Sequence, residues 1–189
     1  MDALSGVLSA FGLSASAGLN AYVPLLVVAL AGRFTDVITL APPWDALESW
    51  WVIGVLVALG LVEFFADKVP AVNHINDAIQ TFVRPVAGAI LFAASTRVAT
   101  DIHPALAIIA GLLGAGSVHA VKSGAVRPAV TATTGGAGNV PVSVAEDVVA
   151  TVLSIVSVVL PVLVAALIII LTSFFVWWLW RRSNRERLA

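Results

Sequence analysis

The chain has 189 residues, of which 60% are hydrophobic and only 11% are charged. Soluble domains carry roughly 25% charged residues, so a water-soluble globular fold is excluded and a protein of the lipid bilayer is indicated. The formal net charge of −1 excludes a basic nucleic-acid-binding surface, and the absence of cysteine excludes disulfides, thiolate metal sites and cysteine nucleophiles.

Five stretches are apolar over all or nearly all of the length of about 20 residues that a transmembrane helix needs. They cover residues 4–31, 50–66, 85–98, 104–121 and 144–180. The fifth would be roughly 55 Å long as one helix, so it is either a tilted helix kinked at Pro161 or a hairpin that turns there. Charge counting by the positive-inside rule favours the hairpin. A turn in lipid would expose unpaired backbone groups, and for this reason we expect one long helix.

Two polar stretches, residues 69–84 and 123–142, interrupt the apolar runs. The first carries polar side chains at helical spacing on one face, namely Asn73, Asp77, Gln80 and Arg84. This pattern predicts a short amphipathic helix that lies in the membrane interface or dips into the membrane. The second contains TTGGAGN, whose glycines cannot hold a lipid-exposed helix, so a re-entrant segment enclosed by protein is expected.

The two polar stretches share a weak internal repeat. KVPAV at residue 68 resembles KSGAV at residue 122, and the dipeptide RP occurs at both 84 and 127. Two predicted spans separate the two lysines, so both lie on the same side of the membrane and the repeat is predicted to be parallel.

The predicted fold is an all-α polytopic membrane protein with about five transmembrane helices and two re-entrant or interfacial segments. The C-terminal sequence WWLWRRSNRER places aromatic residues before arginines, a pattern typical of a membrane exit on the cytoplasmic side. We therefore expect one transmembrane domain at residues 1–180 and a basic cytoplasmic tail at 181–189. The expected location is the inner (plasma) membrane, crossed several times, with the N-terminus outside.

Ionisable groups at the ends of the spans are candidates for function, because charges within a membrane usually face the protein interior or a water path. Glu63 lies between apolar residues, and Asp67 follows one helical turn later. Both are interpreted as proton-titratable or cation-binding groups. Lys68, Lys122 and Arg127 are interpreted as counter-charges or anion contacts.

Other polar residues near the same segments complete the predicted substrate or proton path. These are Asn20, Asp77, Arg84, His119, Thr134, Asn139, Glu146 and Asp147. Asn20 lies between Gly18 and Pro24, where the helix is expected to loosen and to free backbone carbonyl groups. The histidines show no paired-ligand spacing, so neither a metal ion nor another cofactor is expected.

Span one carries Ser9, Gly12 and Ser16, a small-residue face that permits close helix packing and suggests a homo-oligomer in the bilayer. Three functions compete. The favoured one is a transporter or flippase for a small polar or charged solute, with proton coupling. A non-catalytic membrane scaffold is the alternative. An enzyme acting on lipid phosphates ranks third, because the histidine-bearing elements of the lipid phosphatase motif are missing, and no enzyme activity is expected.

Three strings, GLNAYVPLL, EFFADKVPAVNHINDAIQTFVRPVAGA and HAVKSGAVRPAVTATTGGAGNVPVSVAEDV, together resemble the bacterial membrane family called domain of unknown function 4126. The resemblance covers most of the chain up to the fifth span. It implies a small polytopic membrane protein and carries no activity with it.

Overall fold

The computed structural model describes residues 3–67, 70–96 and 102–161, followed by 163, 166, 169–174, 177 and 180–181, and leaves aside the side chains of 3, 70–75 and 96. The described elements are α1 (Ala3–Leu19), α2 (Tyr22–Phe34), a short 3-10 helix (Trp44–Glu48), α3 (Trp50–Ala66), α4 (Pro70–Thr96), α5 (Pro104–Val121), a π-helical turn (Lys122–Val126), α6 (Arg127–Thr134) and α7 (Asn139–Val159). Further described residues between 161 and 181 are helical and form the C-terminal segment. The prediction of an all-α fold is confirmed.

Within the described part of the chain, three helical stretches are long and apolar enough to cross a membrane: Asn76–Ser95, Pro104–Thr134 and Asn139–Val159. Large apolar side chains also point outward along the bundle, for example Leu61 and Val62, which are 54% and 63% exposed. Continuous apolar surface of this kind is typical of contact with lipid. The length and surface of these helices are therefore those of a membrane protein.

The predicted first span is two helices rather than one. Asn20 ends α1, since its N–H bonds Ser16 O at 3.0 Å, and its Oδ1 accepts from the N–H groups of Tyr22 and Val23 at the start of α2. Val37, just beyond α2, lines one cavity with Ser5 of α1, so the chain folds back as a helical hairpin. The expected loosening at Asn20 is confirmed, and the single helix over 4–31 is wrong, because an asparagine side chain can cap a new helix.

The two polar stretches are not short re-entrant segments. Residues 70–96 form one helix, α4, with Pro85 inside it, and Gln80 and Arg84 on that helix are buried in the bundle. The described polar residues on the face predicted for 69–84, namely Asp77, Gln80 and Arg84, therefore lie against protein rather than in the membrane interface. Pro104–Thr134 is likewise one 31-residue helical stretch that ends where Gly135 adopts a left-handed φ of 62°. The predicted segment 123–142 is thus the end of α5–α6, a glycine turn and the start of α7.

The predicted parallel repeat is not a structural repeat. The chain reverses between α3 and α4. Two contacts show this: Glu63 on α3 pairs with Arg84 on α4, and Asp67 at the end of α3 accepts a hydrogen bond from Asn76 near the start of α4. After Lys122, in contrast, the chain continues in the same direction through the π-helical turn into α6. The two similar short sequences are thus followed by different local structures.

The expected long helix over 144–180 is also wrong. α7 ends at Val159, and Leu160 has a non-helical φ of −135°. Leu171 and Phe174 of the C-terminal segment line one cavity with Val142 of α7, whereas a single helix would place Phe174 roughly 48 Å from Val142. The chain therefore turns back at Leu160. Backbone chemistry permits the turn because Leu160 N–H still bonds Val156 O and Leu163 N–H bonds Leu160 O.

Small residues let the central helix α1 approach α4, α5 and α7. Gly88 and Gly111 bring α4 against α5 so closely that a Cβ at either position would overlap the facing backbone. Ser14 Oγ donates to Gly111 O at 2.8 Å, and Ser16 Oγ donates to Ala150 O at 2.7 Å. The small-residue face of α1 is therefore used within the chain, which removes it as the predicted oligomer surface, since a face already covered cannot bind a second copy.

Cross-linking tests the reversal at Leu160. In this cysteine-free chain, V149C and L171C lie on one cavity and should be joined by a bifunctional thiol reagent with a reach of about 10 Å, whereas a straight helix would hold them roughly 33 Å apart. The measurement is the shift in electrophoretic mobility after cleavage of the chain between the two positions. V37C with L171C is the control pair, because Val37 lies at the Leu160 end of α7. Equal cross-linking of both pairs, or of neither, would contradict the hairpin.

Candidate functional site

Polar and ionisable side chains from six helical elements meet where the α1–α2 hairpin turns. We call the following residues the charge cluster: Asn20, Glu63, Asp67, Asp77, Arg84, His119, Lys122, Arg127, Glu146 and Asp147. At 1.5 Å per residue, Arg84 lies about 18 Å along α4 from its C-terminal end, and Lys122 about 27 Å along from the start of α5. Both distances are measured from the end of the bundle where α4 ends and α5 begins. In a hydrocarbon core of about 30 Å, Lys122 therefore lies near the opposite end, and Arg84 lies deeper, close to the middle.

Arg84 is the most deeply enclosed member, with none of its surface exposed. Its Nη2 donates to Glu63 Oε1 at 2.8 Å, and its Nη1 lies 3.1 Å from His119 Nδ1. A guanidinium only donates, so Nδ1 must accept and the imidazole is neutral with its proton on Nε2. That Nε2–H is directed to Thr81 Oγ1 at 3.1 Å, whose own hydroxyl donates to the Asp77 carbonyl. Arg84 thus fixes both the carboxylate and the histidine tautomer.

Arg127 forms the second centre of the cluster. Its guanidinium bonds Asp67 Oδ2 and both oxygens of Asp77 at 2.9 Å, and it lies 3.5 Å from Glu146 Oε2. Asp67 also accepts from Asn76 Nδ2 at 2.7 Å. One cation therefore ties together the end of α3, the start of α4 and the first half of α7.

The π-helical turn aligns Lys122 with Arg127. In an α-helix, residues five apart point about 140° away from each other. Here the N–H of Arg127 bonds Lys122 O, a five-residue step that brings both side chains onto the face of the cluster. Lys122 Nζ then reaches Glu146 Oε2 at 2.8 Å.

The tip of the α1–α2 hairpin is held from both sides. Lys122 Nζ donates to Leu19 O at 2.9 Å, which places a cation at the C-terminal end of α1, where the helix dipole is negative. Asn20 Nδ2 donates to Asp147 Oδ1 at 2.9 Å. The broken helix is stable because distant residues satisfy its ends.

Three of the buried polar atoms that have no hydrogen-bond partner among the described residues belong to α3 and α4. They are Glu63 Oε2, Gln80 Oε1 and Arg84 Nε. Glu63 and Gln80 are each only 2% exposed. A buried carboxylate oxygen without a partner is costly, by about 1–3 kcal/mol or more, and calls for an explanation such as a bound proton or a ligand.

Carboxylates outnumber cations in the described part of the cluster. Glu63, Asp67, Asp77, Glu146 and Asp147 face Arg84, Lys122 and Arg127. The surplus is acidic, so the cluster is suited to a proton or a cation and not to an anion. Within the described residues, no three metal-ligating side chains converge as ligands of a metal ion would.

Two apolar cavities flank the first half of α7 among the described residues, and charged residues line each of them. The cavity between α2, α3 and α7 has a volume of about 490 Å³ and includes Asn20 and Asp147. The cavity between α5, α7 and the C-terminal segment has a volume of about 920 Å³ and includes Lys122 and Glu146. The adjacent residues Glu146 and Asp147 therefore line different cavities on two sides of α7.

The structure brings together all but three of the residues that the sequence predicted for the path. Thr134 and Asn139 lie apart from the cluster in the exposed α6–α7 turn, where Thr134 bonds Val130 O and Asn139 bonds Thr131. Lys68 lies outside the described residues. Four further residues that were not predicted for the path also contribute to the cluster, namely Asn76, Gln80, Thr81 and Ser143. Gln80 and Thr81 precede Arg84 by four and three residues on the same helix, a spacing that could have identified them.

The family model described as Domain of unknown function (DUF4126) matches residues 7–182. The chain belongs to this family. The resemblance seen in the sequence is thereby confirmed. Neither a curated protein nor a solved structure matches the chain. Membership of the DUF4126 family supplies no chemistry, and the charge cluster is the feature of this chain that bears on function.

A double-mutant cycle tests whether Arg84 and Glu63 act as a buried pair. R84Q leaves the Glu63 carboxylate buried without its cation, which should lower the free energy of unfolding by about 3–5 kcal/mol. The double variant E63Q/R84Q removes both charges and should recover part of that loss, measured as thermal or denaturant unfolding in detergent. R33Q is the control, because Arg33 is exposed. If the effects of the two single variants simply add, Arg84 and Glu63 do not form the pair described here.

Proposed function

We propose that the protein is a small integral membrane transporter or flippase for a polar or charged solute, and that the charge cluster is its proton and solute path. The observation that carries the proposal is the unpartnered Oε2 of Glu63, which is buried beside the Arg84 guanidinium. A carboxylate in this position can take up a proton without losing a hydrogen bond. It can release that proton when the local charge changes.

The geometry of the backbone supports the same proposal. A helix broken at Asn20 and a π-helical turn at Lys122 both lie at the charge cluster. Carriers commonly bind solutes and coupling ions at broken helices near the middle of the membrane, and π turns within α-helices occur frequently at functional sites. A purely structural bundle needs neither feature, and buried ion pairs contribute little net stability compared with apolar packing.

The charge distribution supports an orientation for this carrier. Lys122 and Arg127 lie at the end of the bundle where α3 ends and α6 begins, whereas Arg33 lies near the end of α2, at the opposite end of the bundle. The C-terminal segment runs back along α7 and carries Arg181 toward the first of these ends. By the positive-inside rule, this end is cytoplasmic. The proposed topology is five crossings (α3, α4, α5–α6, α7 and the C-terminal segment) plus the α1–α2 hairpin, in the inner (plasma) membrane.

Reporter fusions test this topology. A reporter that is active only in the cytoplasm should give a signal when fused after residue 189 and none when fused before residue 1, because an odd number of crossings separates the ends. A reporter that is active only outside should give the reverse pattern. Signals from both ends on one side would contradict the proposed crossings.

Proton flux tests the carrier. Proteoliposomes with an entrapped pH-sensitive dye and an imposed proton gradient are challenged in turn with amines, amino acids and carboxylates. A solute-dependent collapse of the gradient is expected for the unchanged protein and for E63D, which keeps a carboxylate. E63Q should lose at least about 90% of that rate, because proton transfer by such groups commonly contributes 100-fold or more.

The control for this experiment is E48Q, an acidic residue near the opposite end of the bundle, at the end of the short 3-10 helix. Each variant is first shown to elute as a single species in detergent. Flux through E63Q with an unchanged pH profile would mean that Glu63 is only a structural partner of Arg84. Absence of solute-coupled flux in every protein would favour the scaffold instead.

A further inference from the structure

We propose that the cavity between α2, α3 and α7 binds an organic cation with apolar substituents, held by the carboxylate of Asp147. This inference rests on the proposed function and names the class of solute for the carrier. It goes beyond the charge cluster, because most of the cavity is lined by apolar residues outside the cluster.

The cavity has the size and lining of a small-molecule site. Its volume of about 490 Å³ falls within the roughly 300–1,000 Å³ typical of ligand pockets. The lining is mainly aliphatic, with Leu26, Leu56, Val57 and Val152 among its walls. Such walls favour a ligand with apolar substituents, and a small hydrated ion would gain nothing from them.

Charge selects a cation for this cavity. Among the described residues that line the cavity, Asp147 is the only one that carries a charge at neutral pH. Asn20 Nδ2 donates to Asp147 Oδ1 at 2.9 Å and orients the carboxylate at the polar end of the cavity. The backbone N–H groups of Tyr22 and Val23, which could otherwise attract an anion at the start of α2, already bond Asn20 Oδ1. An anion would therefore meet a carboxylate and no available donor from these two groups.

Aromatic side chains add to the selection. Tyr22 and Phe64 both line the cavity. Aromatic rings attract ammonium and similar cations more strongly than they attract neutral groups. A cation with apolar arms thus finds a carboxylate, aromatic carbon and aliphatic walls in one place.

The mouth of the cavity opens on the apolar outer surface of the bundle. The lining residues Leu61, Val148 and Val152 are 54%, 56% and 55% exposed. A ligand that partitions into the bilayer can reach the cavity sideways from lipid. The same property excludes strongly hydrated solutes from this route.

Binding of ethidium to the purified full-length protein in detergent tests the inference by fluorescence polarisation. Saturable binding is expected. D147N should weaken the affinity about tenfold or more, because it removes the charge that the cation needs. D147E keeps the charge and should retain most of the affinity. D45N is the charge control, since Asp45 is exposed and lies outside the cavity.

A steric pair on α3 provides an independent arm. A side chain at Gly60 would enter the cavity, and its Cβ would meet only Tyr22 Cβ at an ordinary 3.6 Å. G60L should therefore block ethidium without disturbing the charges. G54L is the matched control, because a Cβ at Gly54 has nothing within 4 Å and Gly54 does not line the cavity.

The outcomes separate this inference from the proposed function. Undiminished binding to D147N or to G60L overturns the cation site. Equal affinity for the anionic dye 8-anilinonaphthalene-1-sulfonate, which would mark a plain lipid groove, also overturns it. Ethidium binding that shows the expected pattern without any solute-coupled proton flux supports the site and rejects the carrier. Flux of a solute that does not compete with ethidium supports the carrier and rejects this site.

Discussion

The need to satisfy every buried charge inside the bundle governs the rest of this structure. An unpaired charge in a lipid-surrounded interior is so costly that each ionisable side chain must find its partner within the chain. Arg84 meets Glu63, Lys122 meets Glu146, and Arg127 meets Asp67 and Asp77. These partners come from α3, α4, α5–α6 and α7, so the relative placement of these helices follows from the pairing of their charges. The polar contacts also replace the hydrophobic driving force, which is weak between helices that are surrounded by lipid.

The same constraint explains the irregular backbone. A broken helix end within a membrane leaves carbonyl and N–H groups that water cannot satisfy. At the α1–α2 turn, Lys122 bonds Leu19 O, and Asn20 Oδ1 accepts from Tyr22 and Val23. The π-helical turn is what allows Lys122 to reach this tip while Arg127 reaches Asp67. Break and π turn thus depend on one another, and removal of either would leave charges or backbone groups without partners.

The sequence predicted the charge cluster better than the path of the chain. Glu63, Asp67, Lys122 and Arg127 could be selected because charges beside apolar runs are rare and have few locations that satisfy them. Hydropathy reports only the length of an apolar run, so it does not distinguish a helical hairpin from a single helix with the same number of residues. The reversals at Asn20 and Leu160 depend on partners that are distant in sequence or on local turn bonds. For residues 69–84, the spacing of the polar side chains indicated a helix face exposed to water. The buried partners of Arg84, namely Glu63 and His119, instead place Arg84 inside the bundle.

A closed chain of contacts connects the two proposed sites. Asp147 bonds Asn20, the neighbouring carbonyl of Leu19 accepts from Lys122, and Lys122 pairs with Glu146, which is adjacent to Asp147 on α7. A cation at Asp147 competes with Asn20 for the same carboxylate, and therefore loosens the hairpin tip on that side. Because Lys122 donates to Leu19 O at the same tip, loss of this restraint also changes the contacts of Lys122. Lys122 belongs to the same cluster as Glu63 and Arg84. In the proposed carrier, solute and proton are thus coupled through the short tip at Asn20. A cation at Asp147 changes the partners of this tip, and the tip is also held by Lys122, which belongs to the same cluster as Glu63.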